Sequence, residues 1–113
     1  MYERKNPMDY TDCSVRIPID ILAGSWKAWL ISEINKGISR PSELQRSIKI
    51  ASKRVLSKQL KELEEQGIVW KKIYPVVPLK VEYYLTEAGK GLLPILEQLE
   101  SWGDKYKKTI SKE

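Results

Sequence analysis

The sequence predicts a mainly α fold of the α+β kind, a single domain in which short helices lead into a two-stranded hairpin and a longer helix closes the chain. Three observations point there. Apolar residues recur at helical spacing between stops at Gly24, Gly37 and Gly67. Two β-prone runs flank Pro75-Val76-Val77-Pro78. A last stripe of Leu92, Leu93, Leu96, Leu99, Trp102 and Tyr106 repeats every three or four residues. With 113 residues, 42% of them hydrophobic, there is material for one core and none for a second.

Residues 1–13 are polar, contain Pro7 and show no period, so they read as an arm, with the domain proper over residues 14–113. In residues 14–23, Val15, Ile17, Ile19, Ile21 and Leu22 suggest a short helix ended by Gly24, although the alternation of the first four suits a strand equally. Ser25 is placed to cap a second helix, on which Trp26, Trp29, Leu30 and Ile34 share a face and which Gly37 ends. After an extended link at Ile38 and Ser39, Pro41 opens a third helix over residues 41–48, with Glu43 favoured in its first turn by the helix dipole. Ser52 caps a fourth, where Val55, Leu56, Leu60 and Leu63 form the apolar stripe and Gly67 the stop. Ile68, Val69, Trp70, Ile73 and Tyr74 make one strand; Leu79, Val81, Tyr83 and Leu85 make the other. Thr86 caps a last helix running towards Lys108, weakened near its start by Gly89, Gly91 and Pro94, which can kink it.

The third and fourth helices form a helix-turn-helix pattern, and a hairpin directly after it makes a winged helix. At ~100° per residue, Leu60 and Leu63 lie within about 40° of Leu56, whereas Arg54, Lys58, Lys61 and Glu65 lie opposite. In this fold the outward face of the motif's second helix enters the major groove, N-terminal half first, which selects Ser52, Lys53, Arg54, Ser57, Lys58 and Lys61. Arg40 and Ser42, at the start of the motif's first helix, join that DNA-facing set. Lys71, Lys72 and Lys80 on the wing are placed to hold neighbouring backbone or reach the minor groove.

Charge is concentrated in the same segment. Residues 36–61 hold eight basic side chains and one acid, Glu43, a local charge of +7 within a chain of net +5. Such a concentration suits polyphosphate, because each phosphate neutralised releases condensed counterions; a solvated helical face is the bland alternative. Enzyme chemistry has little support. There is no His, which removes imidazole bases and most mixed zinc sites, and Ser57-Lys58 sits on the DNA-facing helix rather than in a nucleophile pair. No cofactor is expected. The only cysteine, Cys13, can form no internal disulfide, which favours a reducing cytoplasm, and no apolar run approaches the roughly 20 residues a bilayer demands.

A helix appended to so small a domain has little core to cover it. Leu92, Leu96, Leu99, Trp102 and Tyr106 are therefore expected to meet a second copy in a two-fold homodimer. The alternative is that this stripe folds back onto residues 17–30 of its own chain. A dimer would present two fourth helices to half-sites about one duplex turn, ~34 Å, apart, on an inverted repeat.

Taken together, the residues resemble the HxlR-type bacterial regulators, dimeric winged-helix transcription factors related to the MarR group. The similarity runs over residues 13–103. It rests on Gly24-Ser25-Trp26-Lys27, Ser42-Glu43-Leu44, Leu60-Lys61-Glu62-Leu63-Glu64 and Gly67-Ile68-Val69. The most specific part is Tyr74-Pro75-Val76-Val77-Pro78, followed by Val81-Glu82-Tyr83, Leu85-Thr86, Gly89 and Trp102-Gly103. The chain departs from the family pattern at Ser14, Pro41 and Leu79, none of which removes a groove-facing cation. The resemblance implies sequence-specific binding of double-stranded DNA in transcription regulation. It also implies that Cys13 could sense oxidants or small electrophiles, against the alternative of an unreactive buried thiol. A winged helix used only as a protein-interaction module is the competing reading of function.

Overall fold

The structure, a computed structural model, describes residues 14–110. Its elements are α1 (Arg16–Ile21), α2 (Lys27–Asn35), α3 (Pro41–Ser47), α4 (Lys53–Glu65), β1 (Val69–Tyr74), β2 (Lys80–Leu85), α5 (Glu87–Gly91) and α6 (Leu93–Ile110). Helices α3 and α4 are the helix-turn-helix. The wing is the antiparallel β1–β2 hairpin, in which Val69 pairs with Leu85 and Tyr74 with Lys80.

Local chemistry sets most boundaries where the sequence predicts them. Gly37 and Gly67 take φ of 100° and 77°, which only glycine adopts without strain. Each turn lets the next amide reach back into the helix it ends: Ile38 donates to the Glu33 carbonyl at 3.0 Å and Ile68 to that of Leu63 at 2.9 Å. Ser52 accepts from the Val55 amide at 3.1 Å, as an N-cap should. Thr86 caps α5 by accepting from the Gly89 amide at 3.1 Å, while its own hydroxyl donates to the Gly67 carbonyl at 2.6 Å. That double role staples α5 to the turn between α4 and β1. The approach is so close that a Cβ on Gly89 would lie 2.3 Å from the Ile68 carbonyl oxygen.

The core lies where α2, α4 and the inner face of the wing meet. Leu30, Ile31 and Ile34 of α2 pack with Leu44 and Ile48, with Leu56, Leu60 and Leu63 of α4, and with Val69, Tyr83 and Leu85 of the hairpin. Two charged residues are buried with it. Lys27 forms an ion pair with Glu62 at 3.0 Å, fastening α2 to α4. Glu33 accepts from the Ser47 hydroxyl at 2.7 Å and pairs with Lys36 at 3.4 Å, fastening α2 to α3. Burial pushes the Glu33 carboxyl up, but the Ser47 hydrogen bond and the Lys36 charge outweigh it and leave it below the usual carboxylate range.

Four expectations are refined or corrected. Residues 16–21 are helical rather than extended: Ile21 and Leu22 reach the core while Val15 and Ile19 point outward. Ser25 does not cap α2; the cap position is Trp26, whose amide is satisfied instead by Oε1 of Gln59 on α4 at 2.9 Å. The closing helix is two pieces, a single turn of α5 and the 18-residue α6, because the glycines at 89 and 91 and Pro94 interrupt it. Leu92, assigned above to dimerisation, is only 7% exposed and belongs to the core of its own chain, so it has almost no surface left for a partner.

Candidate nucleic-acid interface

Helix α4 is amphipathic in the way its sequence requires. Leu56, Leu60 and Leu63 are buried, and Ser52, Lys53, Arg54, Ser57, Lys58 and Lys61 are all exposed. Among the described residues no carboxylate pairs with Lys53, Arg54, Lys58 or Lys61. Unpaired cations of one sign on a rigid helix repel each other and attract an anion of matching spacing. Two tethers hold this helix against α2, the Lys27–Glu62 pair and the Gln59–Trp26 hydrogen bond.

Beside the start of α4 runs an open groove of about 760 Å³ between α3 and the tip of the wing. Arg40, Ser42 and Lys53 stand on one wall and Lys80 on the other, with Val76, Val77 and Leu79 exposed along the tip. Arg46 and Gln45 of α3 line it too, and the sequence reading did not select them. Arg46 lies one turn beyond Ser42 on α3, so helical spacing was the signal that could have found it.

The wing divides its three lysines. Strand alternation turns Lys71 to the inner face with Val69, Tyr83 and Leu85, and its Nζ sits 3.7 Å from Glu64 of α4. Lys72 and Lys80 lie on the outer face, flanking the Tyr74 ring at 4.9 and 4.5 Å from its centroid. The three lysines therefore differ in their surroundings, with Lys71 beside Glu64 of α4 and Lys72 and Lys80 beside Tyr74.

The sequence reading also overlooked Glu82 as an acid at this site. Its Oε1 accepts hydrogen bonds from the hydroxyls of Tyr74, at 3.0 Å, and Tyr84. Its Oε2 faces Lys80 Nζ at 3.6 Å and Arg40 Nε at 3.8 Å. The Tyr84 hydrogen bond does most to hold the Glu82 carboxyl below its usual range, and Tyr74, Lys80 and Arg40 add to it against the opposing effect of burial. The same hydrogen bond raises the Tyr84 phenol above its ordinary value. Residues 82 and 72 are cross-strand neighbours, as are 74 and 80, so a hairpin register would have signalled the cluster.

The dimerisation stripe divides along its length. Leu96 is half-buried against the chain's own core and shares a groove with Trp29 and Leu99, whereas Leu99, Trp102 and Tyr106 are exposed, the last two rings stacked at 5.0 Å. The first turn thus packs on the chain's own core, the second borders the groove beside α2, and Trp102 and Tyr106 beyond it are exposed. Cys13 lies outside the described residues. No described helix is long and apolar enough to cross a membrane.

The model of the HxlR-like helix-turn-helix family matches residues 21–111. The HTH-type transcriptional regulator YdeP of Bacillus subtilis (strain 168) is 38% identical over 117 residues, 99% of this chain and 91% of YdeP. Among solved structures, the redox regulator HypR in its reduced form is similar at a TM-score of 0.82 and 37% identity, over 89% of this chain and all of HypR. The reduced form of the transcriptional regulator YodB from B. subtilis is similar at 0.73 and 30% identity, over 82% of this chain and 91% of YodB. A match that runs from the end of α1 through α6 at these identities leaves one assignment, and the chain belongs to the HxlR-like helix-turn-helix family of transcriptional regulators.

Proposed function

We propose that this regulator binds an inverted-repeat operator in double-stranded DNA as a homodimer, with α4 in the major groove and the wing against the flanking backbone. The observation that carries the reading is the exposed face of Lys53, Arg54, Lys58 and Lys61, four cations without a protein counter-ion among the described residues. Arg54, Ser57 and Lys58 are assigned to base edges and nearby phosphate. Arg40, Ser42, Ser52, Lys53, Lys61, Lys71, Lys72 and Lys80 are assigned to the backbone, and of these Arg40, Lys71 and Lys80 are held in loose ion pairs in the free protein. Arg54→Ala should relax sequence preference at one operator position by about 1–3 kcal/mol, whereas Lys72→Ala should weaken all duplexes alike and flatten the salt slope by about one unit. Equal losses on operator and random duplex for both variants would overturn this division of labour.

Leu99, Trp102 and Tyr106 supply the dimer contact, because a stripe of stacked aromatic and aliphatic side chains left open on a small domain is an association surface. HypR is known in reduced and oxidised forms and YodB in reduced and diamide-treated ones. Cys13 is the only thiol of this chain, so any thiol-based response here runs through it, either by coupling two protomers or by taking a low-molecular-weight thiol as cap. The test is operator release by diamide: Cys13→Ser should abolish it, and an unchanged response would reject the sensor.

A further inference from the structure

We propose that Glu82 is an internal phosphate surrogate, a fixed carboxylate that occupies Arg40 and Lys80 in the free protein and so sets how strongly the domain discriminates its operator from random DNA. The inference rests on the DNA-binding reading above and adds a specificity-determining residue to it. An acid in the middle of a phosphate-binding face is out of place unless its charge is used.

The geometry separates what holds the carboxylate from what it holds. Oxygen Oε1 is anchored by two neutral donors, the hydroxyls of Tyr74 and Tyr84, both on the wing. Oxygen Oε2 is left for the two cations, at 3.6 Å from Lys80 and 3.8 Å from Arg40. Those separations are those of loose ion pairs rather than tight hydrogen bonds, and the Arg40 side chain remains 45% exposed. The cations can therefore leave for a phosphate while the tyrosines keep the negative charge where it is. Both cations also line the groove between α3 and the wing tip, which places the exchange at the proposed backbone contact.

Two consequences follow from electrostatics. A cation already neutralised by a protein carboxylate releases few counterions when it moves to phosphate, so Arg40 and Lys80 add less to the salt slope than the unpaired Lys58. A fixed negative charge beside the path of the backbone weakens every duplex, and only an operator that also satisfies Arg54, Ser57 and Lys58 overcomes it. Glu82 would then act chiefly against the wrong DNA.

The test is binding of operator and random duplexes by the full chain across a salt series, comparing wild type with Glu82→Gln. Glutamine keeps the shape and an acceptor for both tyrosines, and it puts a neutral NH2 donor where the charged oxygen faced Arg40 and Lys80. Random-duplex affinity should rise at least threefold at ~0.1 M salt, more than operator affinity does, and the slope should steepen by about 0.9 for each phosphate newly engaged. In an Arg40→Ala background the gain should shrink, since one of the two released cations is gone. An independent comparison needs no change at Glu82: Lys58→Ala should reduce the slope by about 0.9, and Lys80→Ala by clearly less. If Arg54→Ala and Lys58→Ala leave binding intact, the DNA-facing assignment itself fails. If they weaken binding but Glu82→Gln lowers affinity, or leaves random-duplex affinity and slope unchanged, Glu82 is only a support for the wing and the surrogate is refuted. Equal slope losses from Lys80→Ala and Lys58→Ala refute it as well, even if Glu82→Gln does not fold.

Discussion

Breaking the Lys27–Glu62 pair should destabilise the protein far more from one side than from the other. The lysine side chain is 4% exposed and the glutamate side chain 32% exposed, at a separation of 3.0 Å. At an effective dielectric constant of about 20 the attraction is about 5 kcal/mol, most of which offsets the cost of taking the ammonium out of water. Glu62→Gln removes the attraction and leaves that cost in place. Losing one partner of a fully buried pair costs about 3–5 kcal/mol; here the carboxylate is one-third exposed and the amide still accepts a hydrogen bond, so we expect about 2–3 kcal/mol. For a domain of this size that is a fall in Tm of roughly 8–13 °C. Lys27→Met removes the buried charge, keeps the apolar stem packed, and leaves a glutamate that water can reach, so it should change stability by less than about 1 kcal/mol. Urea unfolding at one fixed protomer concentration reads both, the fixed concentration being necessary because a dimer's stability depends on it. Equal losses from the two sides, or a larger loss from Lys27→Met, would show that the burial asymmetry does not govern the pair. Because the pair anchors α4, Glu62→Gln should also weaken operator binding before it unfolds the chain.

Gly89→Ala places a methyl against the Ile68 carbonyl oxygen, a backbone atom that cannot swing aside, and should destabilise by about 1–3 kcal/mol in thermal unfolding; a neutral result would mean that α5 is free to shift. Glu33 lies below its ordinary value of 4.5, so its stabilisation is complete above that pH and is lost as pH falls through the folded-state value. Ser47→Ala removes a hydrogen bond that lowers it, and should move the acid-unfolding midpoint upward; an unmoved midpoint would discount the Ser47 contact. Trp102→Glu inserts a charge into the exposed stripe of α6 and should yield a monomer by sedimentation at micromolar concentration, whereas an unchanged mass would put the dimer contact elsewhere.

How much of this was legible beforehand follows from the range of each interaction. Element order, the glycine-terminated helices, the Ser52 and Thr86 caps and the outward cations of α4 are fixed by neighbours within four or five positions, and the sequence displays those neighbours side by side. Ser25 failed as a cap because the group that satisfies the Trp26 amide, Gln59, is 33 residues away. Leu92 read as part of one continuous stripe because a 3.6-residue period carries no record of where the chain turns, and the break between α5 and α6 faces it inward. The Glu82 cluster went unread for a related reason. Lys80 and Tyr84 lie two residues either side of it on β2, but Tyr74 comes from the facing strand and Arg40 from the α3 N-terminus, and only the tertiary fold brings all four to one carboxylate. Sequence alone determined the class of fold, the family resemblance and the cationic helix, since periodicity, caps and charge are local. Tertiary structure alone decided which cations stay free, which are neutralised and which apolar residues remain uncovered, because each depends on what distant segments place within a few ångströms.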